Sequence, residues 1–322
     1  MKKKWPHLLV AALLSVAIFV LFFRNTSFAD IKRAFASVAL QSVLLFVLFS
    51  LTGTMFRVAR YWILLEKRIG LPRLFLITLV QNFSVDLLPA RSAALVFYSY
   101  LTKKEGVILE EGISSFVLAI FYDALALFFL LAPAALFLSG GREGFHPLFW
   151  GLGLILPISI FFIFFSPSVL RRLQKAAQKA QWKKTSSILT TIGHYFSAHG
   201  DNTERALLLG LSFLIKLVKY VSVYILFVRL TGPAVSFHSF YLFCFGVAGA
   251  ELSSLLPVQG LAGFGTWEAA FAFVATRLGL PTTDPFLTGL VIHLITQAWE
   301  YAIGITAFLY ISLRRRGKIP GG

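Results

Sequence analysis

The chain has 322 residues, of which 57% are hydrophobic and 16% aromatic, and its mean hydropathy is +0.79. A soluble domain is about 45–50% apolar, so this composition excludes an ordinary soluble enzyme and indicates an integral membrane protein. The net charge of +16 does not predict a nucleic-acid partner, because the basic residues lie mostly in predicted loops, as the positive-inside rule requires.

The first half of the chain, about residues 1–138, begins with two predicted spans. Residues 8–23 form an apolar run that is interpreted as an uncleaved first helix, with a cleaved signal peptide as the alternative. Residues 24–37 suit an amphipathic surface helix, and residues 38–56 are long enough to cross a bilayer. A basic cluster that should face the cytoplasm follows, formed by Arg57, Arg60, Lys67, Arg68 and Arg73.

The next apolar segment, residues 74–101, is broken at Pro89. Its arms are about 15 and 12 residues long, whereas a span needs roughly 20. Lys103 and Lys104 follow, so both ends of the segment are expected on the cytoplasmic side. We therefore predict a re-entrant hairpin with its tip near Pro89, followed by an outward span over residues 112–138 with Asp123 near its middle.

The second half, about residues 148–322, begins with an inward span over residues 148–165. A basic cytoplasmic loop, residues 167–205, comes next. Its Lys175, Lys179 and Lys183 recur every four residues and so share one helix face. This pattern predicts a basic helix on an anionic lipid surface, with a solvated loop helix as the alternative.

Three further segments complete the chain. Residues 206–229 are predicted to run outward, and residues 237–256 to enter from outside, although 20 residues could also cross fully. Residues 266–280 then run back out as the second arm of a hairpin. Residues 286–313 return to the cytoplasm and end in a cluster formed by Arg314, Arg315, Arg316 and Lys318.

A second predicted helix break lies in the stretch 254–271. It contains Pro257, Gly260, Gly263 and Gly265, and Glu268 follows. Proline removes a backbone donor and glycine weakens a helix. Because an unpaired peptide group in hydrocarbon costs several kcal/mol, broken backbone survives there only inside protein or beside a water-filled cavity. We therefore predict that a half-helix begins near Gly265.

The two breaks are alike, since Leu87-Leu88-Pro89 echoes Leu255-Leu256-Pro257. Matching breaks in two halves of a chain are typical of transporters, where they mark the binding site. The sequence predicts an all-α polytopic membrane protein, a single domain over residues 1–322 with both termini cytoplasmic. About six full spans and two re-entrant or broken-helix hairpins would form an inverted repeat.

The break motifs resemble those of a known family. The later break has Pro257, Gly263, Gly265, Glu268 and Ala269, and the earlier one has Pro89 and Arg91. These residues resemble the motifs of the flippase-like family, meaning the transmembrane region of lysylphosphatidylglycerol synthases and its stand-alone relatives. The stretch RVARYWIL at residues 57–64 also resembles the end of that family's second span. The family's first motif also contains a glycine, an acid and a later arginine. In this sequence those three positions are Ala93, Ala94 and Phe97.

The resemblance implies a domain that translocates or handles a membrane phospholipid or a lipid-linked substrate. The synthases carry a soluble aminoacyl-transfer domain after this region. Because the sequence ends at Gly322, that activity is expected to be absent.

Lys216 and Lys219 are the first candidates for headgroup binding, because residues three apart share a helix face. A charge at the bilayer centre costs about 2.5–3.5 kcal/mol, so two lysines on one face suggest a polar cavity. A lipid phosphate, or the carboxylate of Asp123 or Glu251, would compensate them. The alternative is that both lysines snorkel to the interface.

Glu268 and Arg91 are candidates at the breaks themselves. Glu268 either caps the half-helix or binds a lipid amine or a coupling proton. Gly263 and Gly265 would let a headgroup phosphate reach bare amides. Arg91 either holds a phosphate or anchors the chain at the cytoplasmic interface.

Four acids in apolar surroundings are possible ion-pair or proton sites, namely Asp86, Asp123, Glu251 and Glu300. His293, Gln297 and Glu300 share a face of the last helix, but their spacing also suits helix packing, so no metal site is expected. No ATP-binding motif and no activated nucleophile are visible, so no cofactor and no catalytic residue are predicted.

Three functions remain open from the sequence. The first is a lipid transporter or flippase for an anionic phospholipid or a polyprenyl-phosphate lipid. The second is a membrane enzyme that modifies a lipid headgroup. The third is a non-catalytic membrane partner that acts through the basic loop, residues 167–205.

Overall fold

A computed structural model of the protein describes residues 27–87, 91–138, 201–232, 236–254 and 260–316, with a few positions between 172 and 190. These residues contain helices and no strand. The helices are α1 (Phe28–Ser37), α2 (Leu40–Leu64), α3 (Leu71–Ser84), α4 (Ser92–Lys104), α5 (Leu109–Leu138), α6 (Asn202–Thr231), α7 (Phe237–Ser253), α8 (Thr266–Leu278) and α9 (Pro285–Arg316). The all-α fold class is confirmed.

Three of the described helices are long and apolar enough to cross a membrane, namely α2, residues Leu109–Pro133 of α5, and α6. Their most apolar windows have mean hydropathies of 1.8, 2.2 and 1.9. The predicted spans at 8–23 and 148–165 lie outside the described residues. Six spans, the re-entrant hairpins and the inverted repeat therefore stay predictions.

Helix α7 is too short to cross a bilayer on its own. It has 17 residues, which at 1.5 Å per residue is about 26 Å, less than the roughly 30 Å of a hydrocarbon core. The chain leaves the helix at Ser253, three residues before the end of the predicted segment 237–256. This length favours the predicted break over a full crossing.

The chain forms two compact units that interleave along the sequence. Unit 1 comprises Met1–Leu51, Leu79–Ala94 and Val218–Gly322, and unit 2 comprises Thr52–Thr78 and Leu95–Leu217. These units do not coincide with the sequence halves 1–138 and 148–322. Helices α2, α3, α4 and α6 each contribute residues to both units.

Both predicted breaks are interruptions between helices. The first interruption, residues 85–91, separates α3 from α4, and the second interruption, residues 254–265, separates α7 from α8. Pro89 and Pro257 lie outside the described residues. Among the described residues of each interruption, one non-glycine residue is in the left-handed region, Arg91 at φ 55° and Ala262 at φ 53°. That conformation costs about 1–2 kcal/mol, so the surrounding contacts must hold it in place.

Helix α1 confirms the expected amphipathic surface helix, since none of its residues is fully buried. Ser27 and Asp30 form a capping box at its start, which satisfies backbone donors that a helix leaves free. Hydrogen bonds from Ser27 lower the pKa of Asp30. Ile31 packs against a small cluster formed by Ala272, Phe286 and Leu290.

The core of unit 1 is built around Phe271 of α8. Its ring lies edge-on to Phe243 of α7, with the centroids 5.9 Å apart, and is stacked on Trp267 at 5.7 Å. Gly246 of α7 and Gly289 of α9 leave room for it, because a Cβ at either glycine would lie 2.9 Å from a ring atom. Small residues here let three helices approach closely.

A second close approach joins the end of α3 to α9. A Cβ at Gly304 would lie 2.6 Å from Cδ1 of Phe83, and the Phe83 ring meets Tyr301 edge-on at 6.2 Å. This contact sets the position of α9 relative to the first interruption, which begins two residues after Phe83.

We expect Gly304→Ala to destabilise the protein by about 1–3 kcal/mol, the usual effect of overpacking. The matched control is Gly210→Ala, at an exposed site on α6 where a Cβ meets nothing within 4 Å. There the substitution should be neutral or stabilising by about 0.5–1 kcal/mol. Thermal unfolding in detergent measures both, and equal midpoints for the two variants would contradict the close contact.

Candidate functional site

A buried chain of hydrogen bonds connects the two interruptions within unit 1. Asp86, in the turn after α3, accepts from Nε2 of Gln297 at 2.7 Å. The same nitrogen lies 3.1 Å from Nε2 of His293, whose Nδ1 lies 2.6 Å from Oε1 of Glu268. Oε2 of Glu268 accepts from the backbone N–H of Gly265 at 2.6 Å. We call these five residues the polar relay.

The donors and acceptors of the polar relay fit one protonation state. Gln297 Nε2 carries two hydrogens, which serve Asp86 and His293. His293 must then accept at Nε2 and donate at Nδ1, which makes it a neutral imidazole. Glu268 as a carboxylate accepts two hydrogen bonds, from His293 and from Gly265.

Aromatic rings enclose His293. The centroids of Phe264 and Trp267 both lie 4.8 Å from the imidazole centroid. His293 is 2% exposed and Glu268 is fully buried. Because little solvent reaches this pair, the partners of each polar atom must come from the protein.

Glu268 is confirmed as the cap of the half-helix that was predicted near Gly265. Helix α8 begins at Thr266, and Gly265 is its N-cap residue at φ 86°. Gly263 also has a positive φ of 79°, which glycine adopts without steric cost. The backbone of the second interruption therefore depends on both glycines.

The sequence analysis expected bare amides at these two glycines, and this expectation is wrong. Glu268 accepts a hydrogen bond from the N–H of Gly265 at 2.6 Å, and the carbonyl of Gly260 accepts one from the N–H of Gly263 at 3.0 Å. These two amides are therefore already satisfied within the protein and are not available to a phosphate. Gly260 itself donates a long hydrogen bond of 3.4 Å to Thr266 Oγ1.

The two interruptions meet, as predicted. A Cβ at Gly263 would lie 3.7 Å from Cβ of Asp86 and 3.6 Å from Cε1 of His293. Residues about 180 positions apart therefore lie close together, and α9 supplies the side chains between them.

A second polar group in unit 1 joins α6 to α7. Lys219 forms an ion pair with Glu251 at 2.8 Å, which confirms one of the pairings considered for Glu251. The hydroxyl of Tyr220 donates to the same carboxylate at 3.3 Å. Arg91 and Glu300 also interact electrostatically with Lys219, so these residues lie close to the Lys219–Glu251 pair.

Arg91 brings unused hydrogen-bonding capacity to this region. Its Nε is buried and has no hydrogen-bond partner among the described residues, and the same holds for the hydroxyl of Tyr301. A buried donor without a partner costs about 1–3 kcal/mol. A ligand with acceptor oxygens would remove that cost.

Arg60 corrects the sequence analysis, which placed it in a basic cluster at the cytoplasmic end of a span. In unit 2 its side chain is 1% exposed and forms a bidentate ion pair with Asp123. Its Nη1 also donates to Ser212 at 2.7 Å. Helix α2 continues to Leu64, well past the predicted end at Phe56, and this extension carries Arg60 into the protein.

Lys216 also lies in unit 2 and is 7% exposed. Its charge acts on Asp123, so the predicted link between these residues is electrostatic, while Arg60 makes the direct contact. Lys219, three residues later, belongs to unit 1 and has its own partner in Glu251.

Sequence reasoning missed the roles of Arg60, His293 and Gln297. His293 and Gln297 are four residues apart on α9, a signal that was seen but interpreted as packing. For Arg60 the available signal was Asp123, a carboxylate in the middle of an apolar span that needs a buried cation. No group of three or more His, Cys, Asp or Glu residues in the described part of the chain is placed to hold a metal ion.

Long apolar helices, paired interruptions and buried polar residues define an α-helical membrane protein with discontinuous helices. The sequence matches the family described as Lysylphosphatidylglycerol synthase TM region over residues 8–304, and the chain belongs to this family. The match includes both interruptions and the polar relay, and it relates the protein to lipid-modifying and flippase-like membrane proteins. No curated protein matches the sequence.

We expect Glu268→Gln to destabilise the protein by about 1–3 kcal/mol, because the amide has one acceptor oxygen for two donors. The control is Glu110→Gln in the first turn of α5, an acid for which no side-chain hydrogen bond is seen in the described residues. Thermal unfolding in detergent compares the two. If they unfold alike, Glu268 does not hold the second interruption.

We expect Arg60→Gln to destabilise unit 2 toward the lower end of the 3–5 kcal/mol typical of a broken buried ion pair, because the Asp123 side chain is still 17% exposed. The control is Arg68→Gln, whose partners Glu66 and Glu111 form surface pairs worth about 0–1 kcal/mol. Urea unfolding in detergent measures the difference, and comparable losses would show that burial adds nothing.

Proposed function

We propose that the protein is a lipid transporter or flippase-like protein of the cell membrane. It binds the headgroup of an anionic phospholipid or a polyprenyl-phosphate lipid while the acyl chains stay in the bilayer. It moves or holds this lipid without changing it chemically. Both termini lie in the cytoplasm, and the basic loop, residues 167–205, rests on the anionic lipid surface there.

The observation that carries this function is the contact between the two interruptions in unit 1. Irregular backbone at membrane depth is tolerated where it lines a polar site, and in transporters such a site binds the substrate. The family supports the lipid as the substrate class.

Arg91 is the residue that we assign to the lipid phosphate. Guanidinium is planar, always charged and suited to bidentate phosphate contacts. Its buried Nε has no partner among the described residues, and its left-handed backbone conformation is typical of strained positions at functional sites. Lys219, whose side chain is 42% exposed, is the second cation within reach of the headgroup.

We expect Arg91→Gln to slow headgroup movement about tenfold or more in reconstituted vesicles. A lost charge-assisted hydrogen bond costs about 1.5–3 kcal/mol, and 1.4 kcal/mol is tenfold. The control is Arg277→Gln, an exposed cation at the end of α8 in the same unit, which should keep the wild-type rate. The lipids that copurify with wild type and with Arg91→Gln identify the headgroup.

The same preparations separate the rival functions. If purified protein changes no headgroup rate across several lipid classes, the transporter function is wrong. If mass spectrometry finds a chemically altered lipid, the protein is an enzyme. If neutralising Lys175 and Lys179 abolishes function in cells while Arg91→Gln does not, the basic loop acts by recruiting a partner.

A further inference from the structure

The orientation of the Gln297 side-chain amide depends on whether Nε2 of His293 is protonated. Its Nε2 donates to His293 at 3.1 Å and to Asp86 at 2.7 Å, while its buried Oε1 has no partner among the described residues. An amide nitrogen only donates, so this orientation requires a free lone pair on Nε2 of His293 and a carboxylate at Asp86.

One added proton reverses this requirement. When Nε2 of His293 takes a proton from water, a new N–H bond forms and that nitrogen becomes a donor. It then faces the N–H of Gln297, and two donors repel. The amide must turn over, so that Oε1 accepts from His293. Oε1 also faces Asp86 after this turn, and a carbonyl oxygen cannot donate to a carboxylate.

We infer that His293 is a proton-binding site of this protein and that its protonation releases the Asp86–Gln297 hydrogen bond between the first interruption and α9. Asp86 keeps that contact only by taking a second proton itself. Uptake of one proton, at His293, therefore opens the polar relay, whereas uptake of two protons, at His293 and Asp86, leaves it closed.

The Nδ1 side of His293 and the two faces of its ring keep the same neighbours in either protonation state. Glu268 of α8 accepts from Nδ1 in either protonation state, and the N–H of Gly265 keeps that carboxylate in position. The faces of Trp267 and Phe264 cover the ring, with their centroids 4.8 Å from the imidazole centroid, and aromatic faces attract cations.

The charged and titratable groups near this site are predominantly acidic. The turn after α3 supplies Asp86, α8 supplies Glu268, and α9 supplies Glu300 and Tyr301. The Tyr301 hydroxyl lies near both Asp86 and Glu300, whose negative charges interact with it. Farther out, Lys219 is paired with Glu251 and acted on by Arg91. Helix α1 contacts α9 and carries Asp30 paired with Arg33 at the surface.

This balance links the proton to the lipid, a link that rests on the proposed function. Around the polar relay and the Lys219–Glu251 pair, four carboxylates (Asp86, Glu251, Glu268 and Glu300) accompany two cations (Arg91 and Lys219). An anionic headgroup that entered with neutral His293 would add negative charge to an existing excess, which is costly in a low-dielectric site. Proton uptake at His293 offsets that charge, so anion entry and proton uptake should favour each other.

Trp267 provides a direct probe of the site, because an imidazolium quenches a stacked indole more strongly than a neutral imidazole does. We expect the emission assigned to Trp267, obtained as wild type minus Trp267→Phe, to fall on acidification. The transition should be absent in His293→Gln. A Trp267 signal that is independent of pH in folded wild type, or one that survives in His293→Gln, overturns the proton site.

A second measurement tests the release of the first interruption. Leu87→Cys places a thiol next to Asp86, and the native Cys244 is buried. The rate at which the thiol of Leu87→Cys reacts with a water-soluble maleimide is divided by the rate for Leu87→Cys combined with His293→Gln at the same pH. This ratio should rise several-fold on acidification. A constant ratio would overturn the release. Neither measurement contains a transported lipid, so failure of the proposed transport leaves both results interpretable.

Discussion

The carboxylate of Glu268 is the contact on which the rest of unit 1 depends. One oxygen holds the N–H of Gly265 and so fixes where α8 begins. The other oxygen orients His293, which with Gln297 carries the connection to Asp86 in the first interruption. A single buried side chain thus sets both the local backbone of one interruption and its contact with the other.

Every buried charge in this protein raises the same physical problem, since hydrocarbon offers no water to replace a lost partner. Unit 2 solves it with the ion pair between Arg60 and Asp123, and unit 1 with the pair between Lys219 and Glu251. Such pairs are costly to desolvate and are retained in membrane proteins mainly where a polar site is needed. Arg91 differs from them, because its buried Nε lacks a partner among the described residues.

The close contacts of glycine explain how so many polar groups come together. Gly263 lets Asp86 and His293 approach, and Gly304 lets Phe83 lie against α9. A Cβ at Gly304 would force Phe83 to shift, whereas a side chain at Gly263 would fit the space but strain the backbone at its φ of 79°. The approach of α3 to α9 therefore depends on the missing side chain of Gly304 as well as on the hydrogen bonds that connect the interruptions.

The sequence by itself determined the helical membrane class, the family and the two interruptions, because hydropathy, proline and glycine act locally. It also placed the start of α8 near Gly265, since a cap requires residues only three apart. It could not assign partners: Arg60 was placed in a basic cluster facing the cytoplasm, and the spacing of His293 and Gln297 was interpreted as helix packing. Which cation reaches Asp123 and which side chains bridge Asp86 to Glu268 depend on contacts between residues up to about 210 positions apart. Only tertiary packing brings these residues together, and no local pattern encodes that distance.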